Sequence, residues 1–249
     1  FFLRDIVEKI DYARAFVAMQ GLGFLLGCIS QPEVPKPIQT SCLGILATMA
    51  SNNPPIQKEL LEMAALKTLM GVFQSAPPDQ TAFRAKTIQA LSATVCSYEL
   101  SEQVFCGIDQ ARQVLLEGLI PAPGGSDIVQ KRTLFFLRAL ITSDDSNRAR
   151  VRLFAHSVAY AADYLVSHEN PEIREMALAL LVQILEQKHS VNTILDRKDH
   201  LVAKGVEQVA ALRALTGEEQ EFATVELEHW ETLLVLLSRA SRDSADEPQ

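Results

Sequence analysis

The chain has 249 residues, 48% of them hydrophobic, and a formal net charge of −8 at pH 7. It contains no long Lys or Arg cluster, and phosphate binding needs a basic surface that releases counterions, so we expect neither nucleic acid nor an anionic membrane as a partner. The longest apolar runs, such as residues 133–141, are too short and too interrupted to span a bilayer. Leu and Ala outnumber Thr, Tyr and Trp, which favours helix over sheet.

A unit of one long, one short and one medium helix is predicted several times along the chain. Residues 11–30 supply the short and medium helices of an incomplete first unit, and a long helix over 33–51, beginning near Pro37, opens the next one. The remaining predicted helices, in chain order, are 56–63 and 65–74, then 80–98, 101–108 and 110–119, then 127–144, 149–157 and 158–167, and finally a long helix at 171–189.

The long helices are related by a repeat. One landmark leucine can be aligned in each of them, Leu46, Leu91, Leu137 and Leu181, at intervals of 45, 46 and 44 residues. This period is typical of solenoids built from two or three helices per repeat. Loops that contain proline or a capping residue, such as Asp127 as a predicted N-cap, precede the long helices. The predicted fold class is all-α, an armadillo-like α-α superhelix of about four repeats plus capping helices.

The end of the chain departs from the repeat. Residues 200–215 and 218–239 are predicted as two longer helices, the second with acids in its first turn and Arg239 near its end, in agreement with the helix dipole. Such a pair is typical of the polar cap that a solenoid needs. We therefore predict a single armadillo-like domain over residues 1–240 and a disordered tail over 241–249.

Nothing in the sequence indicates a reaction centre. There is no GxxxxGKS or GxxxxGKT, no GxGxxG and no GxSxG, and the five histidines form neither HxxxH nor HExxH. The four cysteines form no CxxC and lie in apolar helical patterns, as expected for reduced cysteines of a cytosolic protein. We predict no catalytic residue, no metal and no cofactor, and hence not an enzyme.

A solenoid without a reaction centre is usually a binding surface, with its concave groove lined by the long helices. For each candidate side chain a solvated helix face is the alternative explanation, so the groove as a whole is the stronger prediction. The polar or aromatic side chains expected to face this groove and bind a partner are Arg132, Phe135, Lys86, Gln89, Glu175, Gln183 and Thr48.

Five stretches, in order across residues 4–240, resemble the armadillo-repeat nucleotide exchange factors of the seventy-kilodalton heat-shock chaperone. The opening resembles their Glu-x-x-Asp-x-Ala-x-x-Phe-x-x-x-Gly pattern, the joint after the first long helix their Asn-x-x-x-x-Gln, and the next long helix their Arg-x-Lys-x-x-x-Ala-Leu-Ser. The stretch "QKRTLFFLRALI" resembles their Lys-x-x-x-Phe-x-Leu-x-x-Leu helix, and the end of the chain resembles their paired terminal helices. The residues that carry the first three matches are Glu8, Asp11, Ala13, Phe16 and Gly21, then Asn52 and Gln57, then Arg84, Lys86, Ala90, Leu91 and Ser92.

The resemblance implies a function. Members of this family hold the nucleotide-binding domain of the chaperone in the concave groove, mainly at its second lobe, and promote ADP release. It implies Arg132 and Phe135 as the first contacts, then Lys86, Gln89 and Glu175. We expect a monomer in the cytoplasm, with the lumen of the endoplasmic reticulum as the alternative. Because the chain starts at Phe1 within a helical pattern and without Met, we expect it to be a fragment that lacks the family's disordered amino-terminal segment.

The rival hypothesis is a peptide-binding armadillo adaptor of the importin or catenin type, without exchange activity. Such adaptors clamp an extended peptide with Asn and Trp on successive long helices. The corresponding residues here are Thr48, Ala93, Ala139 and Gln183 in place of Asn, and Gly44, Gln89, Phe135 and Ala179 in place of Trp. The single tryptophan, Trp230, lies outside this series, which counts against a peptide clamp. A helical enzyme whose site one sequence does not reveal is a second rival.

Overall fold

A computed structural model describes residues 2–7, 10–123, 126–142, 148–187 and 194–243, and these residues form helices joined by turns, with no strand among them. The chain divides into two compact units, Phe1–Ala139 and Leu140–Gln249. The helices of the first unit are α1 (Phe2–Val7), α2 (Ile10–Ala18), α3 (Gly21–Ser30), α4 (Lys36–Ala50), α5 (Pro54–Glu62), α6 (Ala65–Ser75), α7 (Thr81–Val95), α8 (Glu99–Cys106), α9 (Asp109–Leu119) and most of α10 (Asp127–Thr142). Those of the second unit are α11 (Arg148–Leu165), α12 (Pro171–Glu186), α13 (Lys198–Arg213) and α14 (Glu218–Asp243).

The predicted alternation of long, short and medium helices is confirmed through α10. The long helices α4, α7, α10 and α12 lie where the repeat placed them, and all four landmark leucines are at most 1% exposed. Two of the breaks between short and medium helices in the first unit contain a residue whose backbone is left-handed, a conformation that interrupts a right-handed helix. Gln20, between α2 and α3, and Ala64, between α5 and α6, both have a left-handed backbone, with φ of 62° and 54°.

Two local predictions were wrong. The two helices predicted over 149–157 and 158–167 are replaced by the single helix α11, because its sequence from Arg148 to Leu165 contains no glycine or proline to end the first one. Asp127 is not the N-cap of α10 but its first residue. The preceding Ser126 has this role, since its Oγ accepts a hydrogen bond from the backbone N–H of Ile128 at 3.2 Å.

One position in each repeat carries a polar side chain that reaches back to the end of the preceding helix. It lies seven residues before the landmark leucine. Its occupants, called the tether residues below, are Gln39, Arg84, Gln130 and Arg174. Gln39 Nε2 donates to the carbonyl of Gln31 at 2.6 Å, and Gln130 Nε2 donates to the carbonyl of Leu119 at 3.1 Å. A polar side chain at this position therefore joins the long helix to the chain before it.

The two arginines at this position each make more than one such bond. Arg84 Nη1 donates to the carbonyls of Phe73 and Ala76 at 2.9 and 2.8 Å, and its guanidinium lies 3.9 Å from the centre of the Phe73 ring. The Arg84 residue is only 7% exposed. Arg174 likewise donates to two carbonyls in the turn before α12.

Proline removes the usual helical donor from some of these carbonyls. In a helix a carbonyl accepts from the N–H four residues later, and proline has no N–H. Three of the tethered carbonyls lie four residues before a proline: Gln31 before Pro35, Phe73 before Pro77, and Leu119 before Pro123. The Gln31 carbonyl also accepts from the backbone N–H of Val34 at 3.2 Å. The prolines that end one helix and the polar residue near the start of the next thus belong to one repeated arrangement.

In the second unit α14 packs against both α12 and α13. Trp230 of α14 is fully buried, and a Cβ added to Gly205 of α13 would lie 2.9 Å from Leu234 and 3.0 Å from the Trp230 ring. The two terminal helices therefore pack closely where a glycine allows it. The last helix extends to Asp243, so residues 241–243, which we predicted as part of the tail, are helical, whereas 244–249 lie outside the described residues.

No single helix in the described part of the chain is long and apolar enough to cross a membrane; the pair Asp11–Ala18 and Gly21–Ser30, bent by 72°, reaches that length and composition only when both are taken together.

A pair of glycine substitutions tests the packing of the first unit. In Gly118→Ala the new Cβ would lie 2.3 Å from Oγ1 of the buried Thr133, so we expect a loss of about 1–3 kcal/mol in the free energy of unfolding from overpacking. Gly71 has no atom within 4 Å of the corresponding point, and Gly71→Ala should stabilise by up to about 1 kcal/mol through helix propensity. Urea titration of both variants checks this, and equal effects of the two would contradict the close approach of α9 and α10.

Candidate functional site

The side chains two positions before and two positions after each landmark leucine lie on the opposite side of the helix from it. A displacement of two residues is about 200° around an α-helix, and the two positions themselves are four residues apart and therefore neighbours. On α7 these positions are Gln89 and Ala93, and on α10 they are Phe135 and Ala139. Burial of the leucines in the core thus points these pairs away from it.

A cleft of about 490 Å³ in the first unit is built from these positions. Thr48, Gln89, Arg132 and Phe135, four of the seven predicted partner-binding residues, line it together. The other residues that line this cleft, none of which is among the seven, are Ala47, Ser51, Asn52, Ser92, Ala93, Cys96, Ser97 and Ala139. The sequence therefore identified four residues of one shared surface, while their binding role stays a prediction.

Beyond the four predicted residues, the cleft is formed by small side chains of the helices and by the turns that follow α4 and α7. Asn52 and Ser97 occupy equivalent positions, six residues after the landmark leucine, and both have a left-handed backbone with φ of 51° and 65°. Gln57 of α5 fixes the second turn, because its Nε2 donates to the carbonyls of Ala93 and Cys96 at 2.9 and 2.8 Å. An alignment of the repeats could have found this signal, since both turns end a long helix at the same position.

The polar chemistry of the cleft is concentrated on α7 and α10. Arg132 is exposed, and Phe135, one helical turn later, exposes 59% of its surface. Lys86, which we also predicted, lies beside the cleft and donates from Nζ to Oε1 of Gln89 at 2.9 Å. The cleft therefore offers one guanidinium, one accessible aromatic ring and several hydroxyl and amide groups to a ligand.

The two remaining predicted residues, Glu175 and Gln183, lie half-buried on α12 in the second unit. Burial and the nearby Glu226 carboxylate raise the pKa of Glu175, while His229 and Arg174 act in the opposite direction. Since folding then favours the protonated form, the stability that Glu175 contributes is present at low pH and is lost as pH rises through the raised pKa. In the structure Glu175 interacts with charged groups of its own unit. Its role in binding a partner stays a prediction.

The described residues contain no group of three or more His, Cys, Asp or Glu side chains placed to hold a metal ion. All four cysteines are free thiols, and burial raises the pKa of Cys42 to about 11, with the neighbouring Cys28 as a further cause. A thiol with such a raised pKa is a weak nucleophile at neutral pH.

Comparison with solved structures identifies the class of fold as that of armadillo-repeat proteins. One designed armadillo-repeat protein matches 94% of this chain and 90% of its own with a TM-score of 0.67 at 14% identity. Another designed armadillo-repeat protein, solved in complex with the peptide (KR)4, matches 92% of this chain and 90% of its own with a TM-score of 0.65 at 15% identity. The predicted all-α, armadillo-like fold is confirmed.

The sequence also has a curated relative. Over 154 residues, which are 62% of this chain and 51% of the relative, it is 27% identical to the Hsp70 nucleotide exchange factor fes1 of Schizosaccharomyces pombe. The chain thus spans about half the length of this relative. No family model matches the chain. The similarity to fes1 confirms the predicted resemblance to exchange factors of the seventy-kilodalton chaperone.

Proposed function

We propose that this chain is a co-chaperone that binds the nucleotide-binding domain of Hsp70 and promotes the release of ADP. The observation that carries the proposal is its similarity to fes1, whose name states this activity, over 154 residues. The resemblance of five stretches in the right order supports it independently of any single motif. Binding through the second lobe of that domain, as a monomer in the cytoplasm, belongs to the same proposal.

The proposed mechanism is a coupling of two binding equilibria and needs no bond chemistry. A factor speeds and favours ADP release when it binds the nucleotide-released conformation of its partner more tightly than the ADP-bound one. By thermodynamic reciprocity, ADP must weaken binding of the factor by the same ratio as the factor weakens binding of ADP. A rigid surface suits this role, because the factor has to prefer one of two conformations of its partner.

In this proposal the cleft of the first unit is the central contact. Phe135 supplies an accessible apolar surface and Arg132 a charged group beside it, the two residue types from which binding hot spots are commonly built. Thr48 and Gln89 provide hydrogen-bonding groups around them, and Lys86 orients Gln89 through their 2.9 Å bond. Glu175 and Gln183 are proposed as further contacts from the second unit.

Release of a fluorescent ADP analogue from the nucleotide-binding domain of Hsp70, followed by stopped flow, tests the proposal. The release rate should rise and saturate as this protein is added. Phe135→Ala should raise the half-saturating concentration about 30-fold, as expected for loss of a hot spot worth about 2 kcal/mol. Phe24→Ala is the matched control, because Phe24 is 65% exposed on α3 and does not line the cleft.

Affinity measured with and without ADP gives a second test. The ratio of the two dissociation constants of the complex must equal the ratio by which this protein changes the dissociation constant of ADP. If the release rate does not change although the two proteins bind, this protein is a chaperone-binding scaffold without exchange activity. A flat rate without binding would contradict the proposal as a whole.

The peptide-adaptor hypothesis has one observation in its favour, the similarity in fold to a designed armadillo-repeat protein in complex with (KR)4. Five of the eight positions that correspond to the adaptor's Asn and Trp series line the cleft here, but as Thr48, Gln89, Ala93, Phe135 and Ala139. Like-charge repulsion from the nearby guanidinium and ammonium groups disfavours a basic peptide. Fluorescence anisotropy with labelled (KR)4 separates the two functions, and we expect no specific binding.

A further inference from the structure

The charge of the cleft is opposite to that of the chain. The protein carries a formal net charge of −8, with 31 Asp and Glu residues against 23 Lys and Arg. None of the twelve residues that line the cleft is Asp or Glu, and Arg132 is the only charged one. It forms no ion pair with any of the residues that the structure describes. An exposed guanidinium is therefore presented to a partner without an internal carboxylate to neutralise it.

A second cation lies at the equivalent position of the neighbouring repeat. Lys86 on α7 and Arg132 on α10 are 46 residues apart, as are Gln89 and Phe135. The bond from Lys86 Nζ occupies Oε1 of Gln89, which leaves the two N–H groups of that amide to face other acceptors. The Arg132 guanidinium and the N–H groups of the Gln89 amide thus favour an acceptor with negative charge, while the Phe135 ring beside them favours an apolar group.

We propose, resting on the function proposed above, that the cleft receives an acidic side chain from the surface of the chaperone, with its carboxylate paired to Arg132 and an adjacent apolar side chain covering Phe135. The guanidinium has the fork geometry that binds a carboxylate with two parallel hydrogen bonds. A nucleotide phosphate would satisfy Arg132 equally well. A phosphate would leave the exposed Phe135 ring without an apolar partner. A protein surface, in contrast, supplies both a carboxylate and an apolar side chain.

A charge series at Arg132 tests this inference. The dissociation constant of the complex with the nucleotide-binding domain of Hsp70 is measured for the wild type and for Arg132→Lys, Arg132→Gln and Arg132→Glu, at low and high salt. We expect Arg132→Glu to weaken binding about 30-fold or more at low salt and Arg132→Lys to fall between it and the wild type. The salt dependence of binding should be smaller for Arg132→Gln than for the wild type.

The control is Arg112→Glu, the same change of charge at an exposed arginine of α9 that does not line the cleft, and it should alter affinity by less than about threefold. If the wild type does not bind the chaperone, the proposed function is wrong and this inference falls with it. If the wild type binds and accelerates ADP release while the Arg132 series matches Arg112→Glu, only the inference is wrong. A loss of affinity for Arg132→Glu that is seen with ADP bound and absent without it would assign the contact to a phosphate and overturn the carboxylate.

Discussion

Replacement of Arg84 by methionine is expected to lower the free energy of unfolding by about 2–4 kcal/mol. The guanidinium donates to two carbonyls at the end of α6, and a buried acceptor left without a donor costs about 1–3 kcal/mol. Proline at position 77 has no N–H to replace the donor to Phe73. Methionine keeps the length and apolar stem of the side chain, so the loss reports mainly on the two hydrogen bonds and the contact with the Phe73 ring.

Urea titration followed by circular dichroism measures this effect. Arg112→Met, at an exposed arginine of α9, is the matched control and should change stability by less than about 0.5 kcal/mol. Arg84→Lys should recover part of the loss, since an ammonium group can donate to both carbonyls but lacks the planar guanidinium over the ring. Equal stability of Arg84→Met and the wild type would show that the bonds at this position do not hold α6 and α7 together.

The helices and their repeat could be predicted because their signals are local. Apolar periodicity fixes the buried face of a helix, so the landmark leucines and the positions of α4, α7, α10 and α12 follow from the sequence. The predicted bounds were less accurate, since α7 ends at Val95 and not at residue 98. The prediction was wrong at α11 for a related reason. The repeat suggested a break there, whereas the local sequence contains no residue that would cause one.

The tether residues were not predicted, although the repeat contains them. Gln39, Arg84, Gln130 and Arg174 are polar at a position seven residues before each landmark leucine, near the start of a helix, where polar side chains are ordinarily solvated. Their function depends on carbonyls at the end of the previous helix or turn, three of which lie four residues before a proline. That relation becomes visible only when the prolines and the polar position are read together in aligned repeats.

The candidate site was predicted only in part, because a local sequence pattern defines its helical positions but not its turns. Thr48, Gln89, Arg132 and Phe135 lie on helices whose exposed face the periodicity defines, so the sequence could place them on one surface. Asn52, Cys96 and Ser97 come from turns, where a left-handed backbone and the bonds from Gln57 decide which groups reach the cleft. Those bonds join residues that are 36 and 39 positions apart, and a local pattern carries no information about them.

The ion pair between Arg174 and Glu226 is expected to give the largest effect in the second unit. Arg174 Nε and Nη2 donate to the two carboxylate oxygens of Glu226 at 2.6 and 2.7 Å, and the Glu226 residue is only 1% exposed. Removing one member of a buried ion pair typically costs about 3–5 kcal/mol, because the other charge then stays buried without its partner. We expect this loss in the free energy of unfolding for Arg174→Met.

The two members of this pair are not equivalent. Arg174 also donates to the carbonyls of His168 and Glu169 at 2.8 and 3.0 Å, so Arg174→Met removes a donor from a buried carboxylate and from two carbonyls. Glu226→Leu leaves a guanidinium that keeps both of those bonds and is partly solvated, with 19% of its side chain exposed. Glu226→Leu should therefore destabilise less than Arg174→Met.

A double-mutant cycle separates the ion pair from the carbonyl bonds. The double variant Arg174→Met, Glu226→Leu has no uncompensated buried charge, so it should be more stable than Arg174→Met alone, even though it contains one more substitution. The matched control is the exposed pair of Arg213 and Glu231, whose atoms lie 2.6 Å apart with 64% and 43% of their side chains exposed. Arg213→Met should cost less than about 1 kcal/mol there, because solvent screens a surface pair. If the losses from Arg174→Met and Glu226→Leu simply added, their short contact would contribute no coupling energy, and the attachment of α14 to α12 would have to come from the apolar packing around Trp230.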